Sequence, residues 1–392
     1  MKVVIAIDSF KGSMGSIEAG LAAREGIYRA FSGSTPPVVI VKPLADGGEG
    51  TTQAMVEGLG GSYRQVTVTG PMGKLTSARY GILADGKTAV MEMAEAAGII
   101  LVKREDLNPW KATTVGVGEM ILDAVKHGCR NFIIGIGGSV TTEGGIGMLS
   151  ALGFEFLDEN GVPLPPAFSS LDKIASIRAA HVPAELGECR FQIACDVSNP
   201  LCGENGAVYI YGPQKGVKME ERAAMDAMMR CYACRTSEFL GTDHSAVPGT
   251  GAAGGLGFAF LSYLPNVTLR PGISIVLDAI RLEEDLRDAD YVITGEGRLD
   301  GQTANGKVPV GVARLAKQHG AAVLAFAGGV TSDCLPCNDA GIDAFFPIVR
   351  GVCSLEEAMN PDTAKENMAR STEQVFRLIR AEREKSHHGE DV

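Results

Sequence analysis

Several common functions are excluded by what the sequence does not contain. It has no run of about eighteen apolar residues, so nothing in it reads as a transmembrane helix. The basic excess usual in nucleic-acid or membrane-surface binders is missing: 36 Lys and Arg face 47 Asp and Glu, a net charge of −11. A local basic pocket for an anion is still compatible with that balance. No G-x-S-x-G pentapeptide occurs and no histidine of the six sits in a glycine-rich loop, which argues against a serine hydrolase. His127 and His319 precede glycines at predicted helix ends, where a cap or dipole role is the default. The opening stretch MKVVIAIDSF meets an acid after a short apolar run and reads as a buried strand, not a signal peptide.

Nine cysteines without a leader indicate reduced thiols and a cytoplasmic setting. Cys231/Cys234 and Cys334/Cys337 have C-x-x-C spacing, but the pairs lie too far apart for a compact zinc ribbon and read as incidental buried thiols.

Glycine is abundant. Fifty of 392 residues are glycine, about twice the usual ~7%, with no collagen-like period and no linker tract. They cluster beside apolar runs, as expected where backbone must approach a ligand or another strand. Apolar strands alternate with helices in the first sixty residues: Val3–Ile7, a helix capped by Ser16 with Ile17, Leu21, Tyr28 and Phe31 on one face, Val38–Val41, and a helix over Thr51–Leu59. From Ser62 to Val90 the alternation is short and looks antiparallel. Strands are further predicted at Phe132–Ile136, Phe191–Ala194 and Val208–Tyr211. Helices are predicted over Thr114–His127, after Gly144, and over Glu220–Leu240. The parallel texture returns from Tyr291, with strands at 291–294, 322–327 and 343–347, helices over 309–319 and 363–383, and a frayed polar tail from Ser386 that includes His387 and His388. The expected architecture is α/β: a Rossmann-like parallel-sheet domain from both termini, residues 1–61 plus 280–392, with an inserted α+β domain over 62–279.

Gly81–Thr88 fits the phosphate-loop pattern G-x4-G-K-[ST]. That loop must follow a buried strand and open a helix. Here Asp85-Gly86 is a hairpin signal and Thr88-Ala-Val-Met reads as the returning strand.

Four clusters fall where strands end, the usual ligand position in open α/β sheets. Asp8-Ser9-Phe10-Lys11-Gly12-Ser13 offers a carboxylate, two hydroxyls and an ammonium. Asp46-Gly47-Gly48-Glu49-Gly50-Thr51 places two carboxylates on bare backbone, suited to magnesium, a substrate hydroxyl or proton abstraction. Gly137, Gly138 and Ser139, followed by Gly144-Gly145, offer N–H groups to an anion. Gly295-Glu296-Gly297 continues through Asp300 to Lys307. Asp196, Asn199, Gln214, Lys215 and the Gly251, Gly254, Gly255 loop add to the set. Carboxylates, lysines and anion-cradling glycines together fit phosphoryl transfer, which depends on positioning and charge neutralisation.

Taken in order, IAIDSFKGS (5–13), ADGGEGT (45–51), TGPMG (69–73), DGKTAVMEMAEAAG (85–98), IGIGGS (134–139), ACDVSNPLCGENGA (194–207), YGPQKG (211–216), GTGAAGGLG (249–257), PGISIVLD (271–278) and ITGEGRLDGQTANGKVPVGVA (293–313) resemble the bacterial glycerate kinase family. Members phosphorylate D-glycerate with ATP. The resemblance implies a two-domain kinase with its site in the interdomain cleft, usually giving 2-phosphoglycerate, with 3-phosphoglycerate not excluded. It also implies ATP and Mg2+ as cofactors, no nucleic-acid or membrane partner, and a monomer or homodimer. On this reading Asp196, Lys11 and Asp46 are catalytic. Asp8, Ser9, Asn199, Lys215, Gln214, Asp300 and Lys307 bind substrate. Gly137, Gly138, Ser139, Gly251, Gly254, Gly255 and Gly295 contact the nucleotide, and Glu49, Asp46 and Glu296 hold the metal. The chain departs from the family pattern at Ile7, Thr142-Glu143 and Ser198. The competing readings are a P-loop ATPase using Lys87, which needs a helix after Thr88, and a non-enzymatic hydroxy-acid sensor.

Overall fold

The computed structural model describes residues 1–388. The chain divides into two compact units. The first takes Met1–Asp46, Glu57–Leu59 and everything described from Val276 on; the second takes Gly47–Val56 and Gly60–Ile275.

In the first unit a wholly parallel five-stranded sheet runs in the order Ala344–Pro347, Ala322–Val330, Tyr291–Leu299, Lys2–Ala6, Val38–Lys42. After its first residue Lys2–Ala6 is apolar and buried, and so is most of the first half of Tyr291–Leu299, as in parallel sheets covered by helices. Helix Ser16–Ala30 buries Ala19, Gly20, Ala23, Ile27 and Ala30. The sequence reading had chosen the opposite face: Leu21 and Tyr28 are exposed. The small residues win because this helix lies close against helix Pro361–His388. A Cβ on Gly26 would stand 2.1 Å from the Ala369 carbonyl oxygen. Ser16 does not cap its helix either. Gly15 holds that position, and the Ser16 hydroxyl donates to the Ile7 carbonyl while accepting from the Leu44 N–H, tying together the two segments that follow neighbouring strands. The last helix continues through His388, past the expected fraying point. The remainder of the tail, 389–392, lies outside the described residues.

The second unit is built on a six-stranded sheet in the order Val267–Arg270, Arg190–Ala194, Asn131–Gly135, Thr88–Glu92, Leu75–Ile82, Ser62–Thr69. The last three form the antiparallel portion legible from residue 62, and the first four are parallel. Its core is a continuous apolar cluster around Tyr80, Phe132, Phe191 and Phe260, with Phe132 stacked on Phe191 at 4.9 Å. The segment expected as a strand at Val208–Tyr211 is a short helix, Ala207–Tyr211. A four-residue apolar run cannot separate those states by periodicity. Cys231 and Cys234 are exposed on helix Arg222–Leu240, so the expectation of buried thiols holds for Cys334 and Cys337 alone.

Residues 81–88 form a hairpin. The Leu83 N–H donates to the Thr88 carbonyl, and Asp85 Oδ1 accepts from the N–H groups of Lys87 and Thr88. Thr88 opens a strand, and with no helix there the phosphate-loop alternative falls.

Candidate active site

In the second unit the strands Asn131–Gly135 and Arg190–Ala194 are parallel neighbours, with Gly135 opposite Ala194. Their carboxyl ends therefore deliver Ile136–Ser139 and Cys195–Val197 side by side. A cavity of about 210 Å3 opens there, lined by Gly137, Gly138, Ser139, Asp196, Gln214 and Lys215. Six residues picked from three separate sequence clusters thus share one site. Gly47 and Gly48 form another wall. Gly47 has φ +90°, and a Cβ on it would stand 2.5 Å from Gly272 Cα, so only glycine lets this loop lie over the sheet end. The volume is below the ~300–1,000 Å3 of sites for drug-sized ligands and suits a small acid.

Lys215 is 1% exposed. It follows helix Ala207–Tyr211 in a single 3-10 turn that Pro213 opens. Its ammonium donates to Ser139 Oγ at 2.7 Å and to the Thr141 carbonyl at 2.6 Å. An ammonium has three donors, so one is left for a ligand. Burial pushes its pKa down to about 7, with the Glu143 carboxylate opposing. Asp196 is exposed to the cavity, and its Oδ1 accepts from the Gly272 N–H at 2.9 Å.

Other expected members sit differently. Asn199 stands behind the cavity wall: it accepts from the Tyr211 hydroxyl and donates to the Asn205 carbonyl, while Tyr211 is the residue that lines the cavity. Gly254 and Gly255 are packed against Thr141 and Gly144, and Gly251 against Pro200; from that loop Ala252 and Ala253 line the cavity. Glu143 is not available to a metal or substrate. It is fully buried and its carboxylate is engaged by Thr114, Gly145 and Gly147.

A further acid of this unit, Glu92, carries no local signal in the sequence. Glu92 ends its strand and accepts from the N–H groups of Gly50 and Thr52, capping helix Thr51–Leu59. Nothing in the sequence marks Glu92's partner, some forty residues earlier.

The first unit gathers a second cluster. Chain order runs outward on either side of the neighbours Lys2–Ala6 and Tyr291–Leu299, so the crevice between their carboxyl ends is a topological switch point. Asp8 follows the first of these strands, and its N–H donates to the Gly295 carbonyl. Its carboxyl is raised to about 7 by burial, by Asp46 and by Glu296, against the Ser9 N–H and Lys11. Glu296 is also raised, chiefly by burial, although it accepts from the Thr303 hydroxyl at 2.6 Å and faces Lys307. Asp300 Oδ1 caps the turn at Gln302 and Thr303 and stands 3.9 Å from Lys307 Nζ. Lys11 of this unit is exposed, as is Glu49 of the second. Among the described residues no group of three His, Cys, Asp or Glu is arranged to hold a metal ion.

A carboxylate beside a buried, part-satisfied ammonium in one unit, and acids clustered with lysines in the other, are parts for phosphoryl transfer. The family model that matches this chain, over residues 3–380, is that of the glycerate kinase family. The chain belongs to the glycerate kinase family, and it is a kinase. It is 42% identical to a glycerate kinase of Halalkalibacterium halodurans over 94% of this chain and 96% of that one. The identity is also 42% to a glycerate 2-kinase of Escherichia coli K12, over 96% and 97%. A solved structure from Salmonella typhimurium LT2, provisionally assigned as glycerate kinase 2, superposes with a TM-score of 0.89 at 40% identity over 98% of this chain and 99% of that one. This family membership removes the non-enzymatic sensor reading. No described helix is long and apolar enough to cross a membrane.

Proposed function

We propose that this kinase transfers the γ-phosphoryl group of ATP to the 2-hydroxyl of D-glycerate. The observation that carries the reading is the placement of Asp196 and Lys215 on one small cavity, in a chain that matches glycerate kinases along nearly its whole length. The Lys215 ammonium takes the negative charge of the substrate, and Gln214 with the Gly137–Ser139 backbone offers further donors to it. Asp196 orients or deprotonates the attacking hydroxyl, held in place by its bond from Gly272. Lys11 and Lys307 neutralise charge on the transferring phosphate.

Magnesium supplies charge neutralisation at the phosphates when bound. Asp46 and Glu296 fit it, because their mutual crowding with Asp8 is relieved by a cation, and magnesium typically takes one or two carboxylates with phosphate oxygens completing its shell. The nine free thiols fit a cytoplasmic enzyme.

The test is a coupled assay of ADP release by the full chain with D-glycerate, against lactate, which lacks the 3-hydroxyl, as control. Saturable D-glycerate-dependent release supports the reading. ADP formed at the same rate without D-glycerate contradicts it.

A further inference from the structure

Glu143 does not line the cavity, yet it holds the loop that receives the Lys215 ammonium. Its Oε1 accepts from the Thr114 N–H at 2.7 Å, the Thr114 hydroxyl at 2.5 Å and the Gly147 N–H at 3.3 Å, and Oε2 accepts from the Gly145 N–H at 2.6 Å. Thr114 Oγ1 also accepts from the Met148 N–H, which ties it to the following helix. Three of the Glu143 partners are backbone N–H groups, which can only donate and so favour the carboxylate over the neutral acid. Burial acts the other way and raises its pKa. Two residues earlier on the same loop lies Thr141, whose carbonyl receives the Lys215 ammonium.

We propose that Glu143 is a positioning residue for the kinase reaction: it pins the Ser139–Gly147 loop onto which Lys215 donates and is the buried counter-charge that keeps that ammonium cationic. This rests on the reading of the cavity as the phosphoryl-acceptor site. Lys215 has no direct ion pair among the described residues. Of the groups around it, Glu143 is the charge that supports its protonation, against burial. Asp196, Cys195 and Tyr211 also line the cavity. Removing Glu143's charge leaves the ammonium buried without compensation, and a lysine so placed sheds its proton.

The experiment compares the full-length wild type with Glu143→Gln and Glu143→Asp. The pH dependence of kcat/KM for D-glycerate is one readout. The other needs no activity: NMR titration of 13Cε-labelled lysines, with the Lys215 signal assigned by its loss in Lys215→Met. Wild-type Lys215 is expected to titrate near 7, with kcat/KM falling as pH rises through that value. In Glu143→Gln both titration and activity limb move to lower pH by about one unit or more. Glu143→Asp, which keeps the charge, leaves the titration close to wild type. A folded Glu143→Gln protein whose Lys215 titrates as in the wild type overturns the proposal. Should Glu143→Gln not fold, Glu143→Asp carries the test: a folded Glu143→Asp protein whose Lys215 titrates about a unit or more below the wild type overturns the proposal. A wild type inactive on D-glycerate sinks the functional reading and leaves the titration test standing.

Discussion

Lys215 donates to Ser139 Oγ at 2.7 Å across 76 residues of sequence. The bond joins the glycine loop that ends one strand to the turn that follows Tyr211. It leaves the ammonium dry and one donor short of satisfied. Such a group binds an anion strongly because the desolvation cost is already met by the fold.

Lys215→Met should therefore impair function more than folding. The variant loses two hydrogen bonds but also the desolvation cost of the ammonium, and Glu143 keeps its own backbone donors, so the stability change is expected to be modest, while kcat/KM for D-glycerate is expected to fall about 100-fold or more. Steady-state kinetics beside thermal melts read this out. A melting temperature that collapses along with activity would make Lys215 a structural residue.

Asp196→Asn keeps an oxygen that can accept from the Gly272 N–H, so the fold should persist. If Asp196 handles the attacking hydroxyl, kcat drops by about 10²- to 10⁴-fold. A variant with most of its turnover would remove Asp196 from that role.

Asp8 gives a prediction about stability against pH. Its folded pKa of about 7 lies above the ordinary 3.8. The stability it contributes is full below about pH 4 and is lost as pH rises through 7. In metal-free buffer at pH 8, Asp8→Asn should thus stabilise the protein, by about 2–4 kcal/mol, and at pH 4 it should not. Urea melts at the two pH values decide the matter; equal stability of variant and wild type at pH 8 counts against the crowding of Asp8 by Asp46 and Glu296.

Lys87→Ala should change neither nucleotide affinity nor turnover beyond about two-fold, as for an exposed surface position, because residues 81–88 are a hairpin. Loss of ATP binding in this variant would revive the phosphate-loop reading.

Strand ends and glycine loops were legible in the sequence because each carries a local signal: an apolar run, then bare backbone bearing an acid or a lysine. Ser139, Asp196 and Lys215, remote in sequence, each carry such a signal, and one cavity joins them. Contacts whose reason is tertiary were not legible. The buried face of helix Ser16–Ala30 is set by close approach to the last helix at Gly26, and hydrophobicity alone pointed to Leu21 and Tyr28. Glu92 caps a helix forty residues before it, and Glu143 is held by Thr114, twenty-nine residues before it; a lone acid carries no mark of such a partner. Gly251, Gly254 and Gly255 resembled an anion loop, but their missing Cβ atoms make room for protein backbone.

The most direct test is the product itself. Incubating the full chain with ATP and D-glycerate and recording 1H–31P correlation NMR should show one new phosphate ester, its phosphorus coupled to the single C2 proton. Coupling to the C3 methylene pair would contradict the assigned hydroxyl, and no new ester with D-glycerate would contradict the account as a whole.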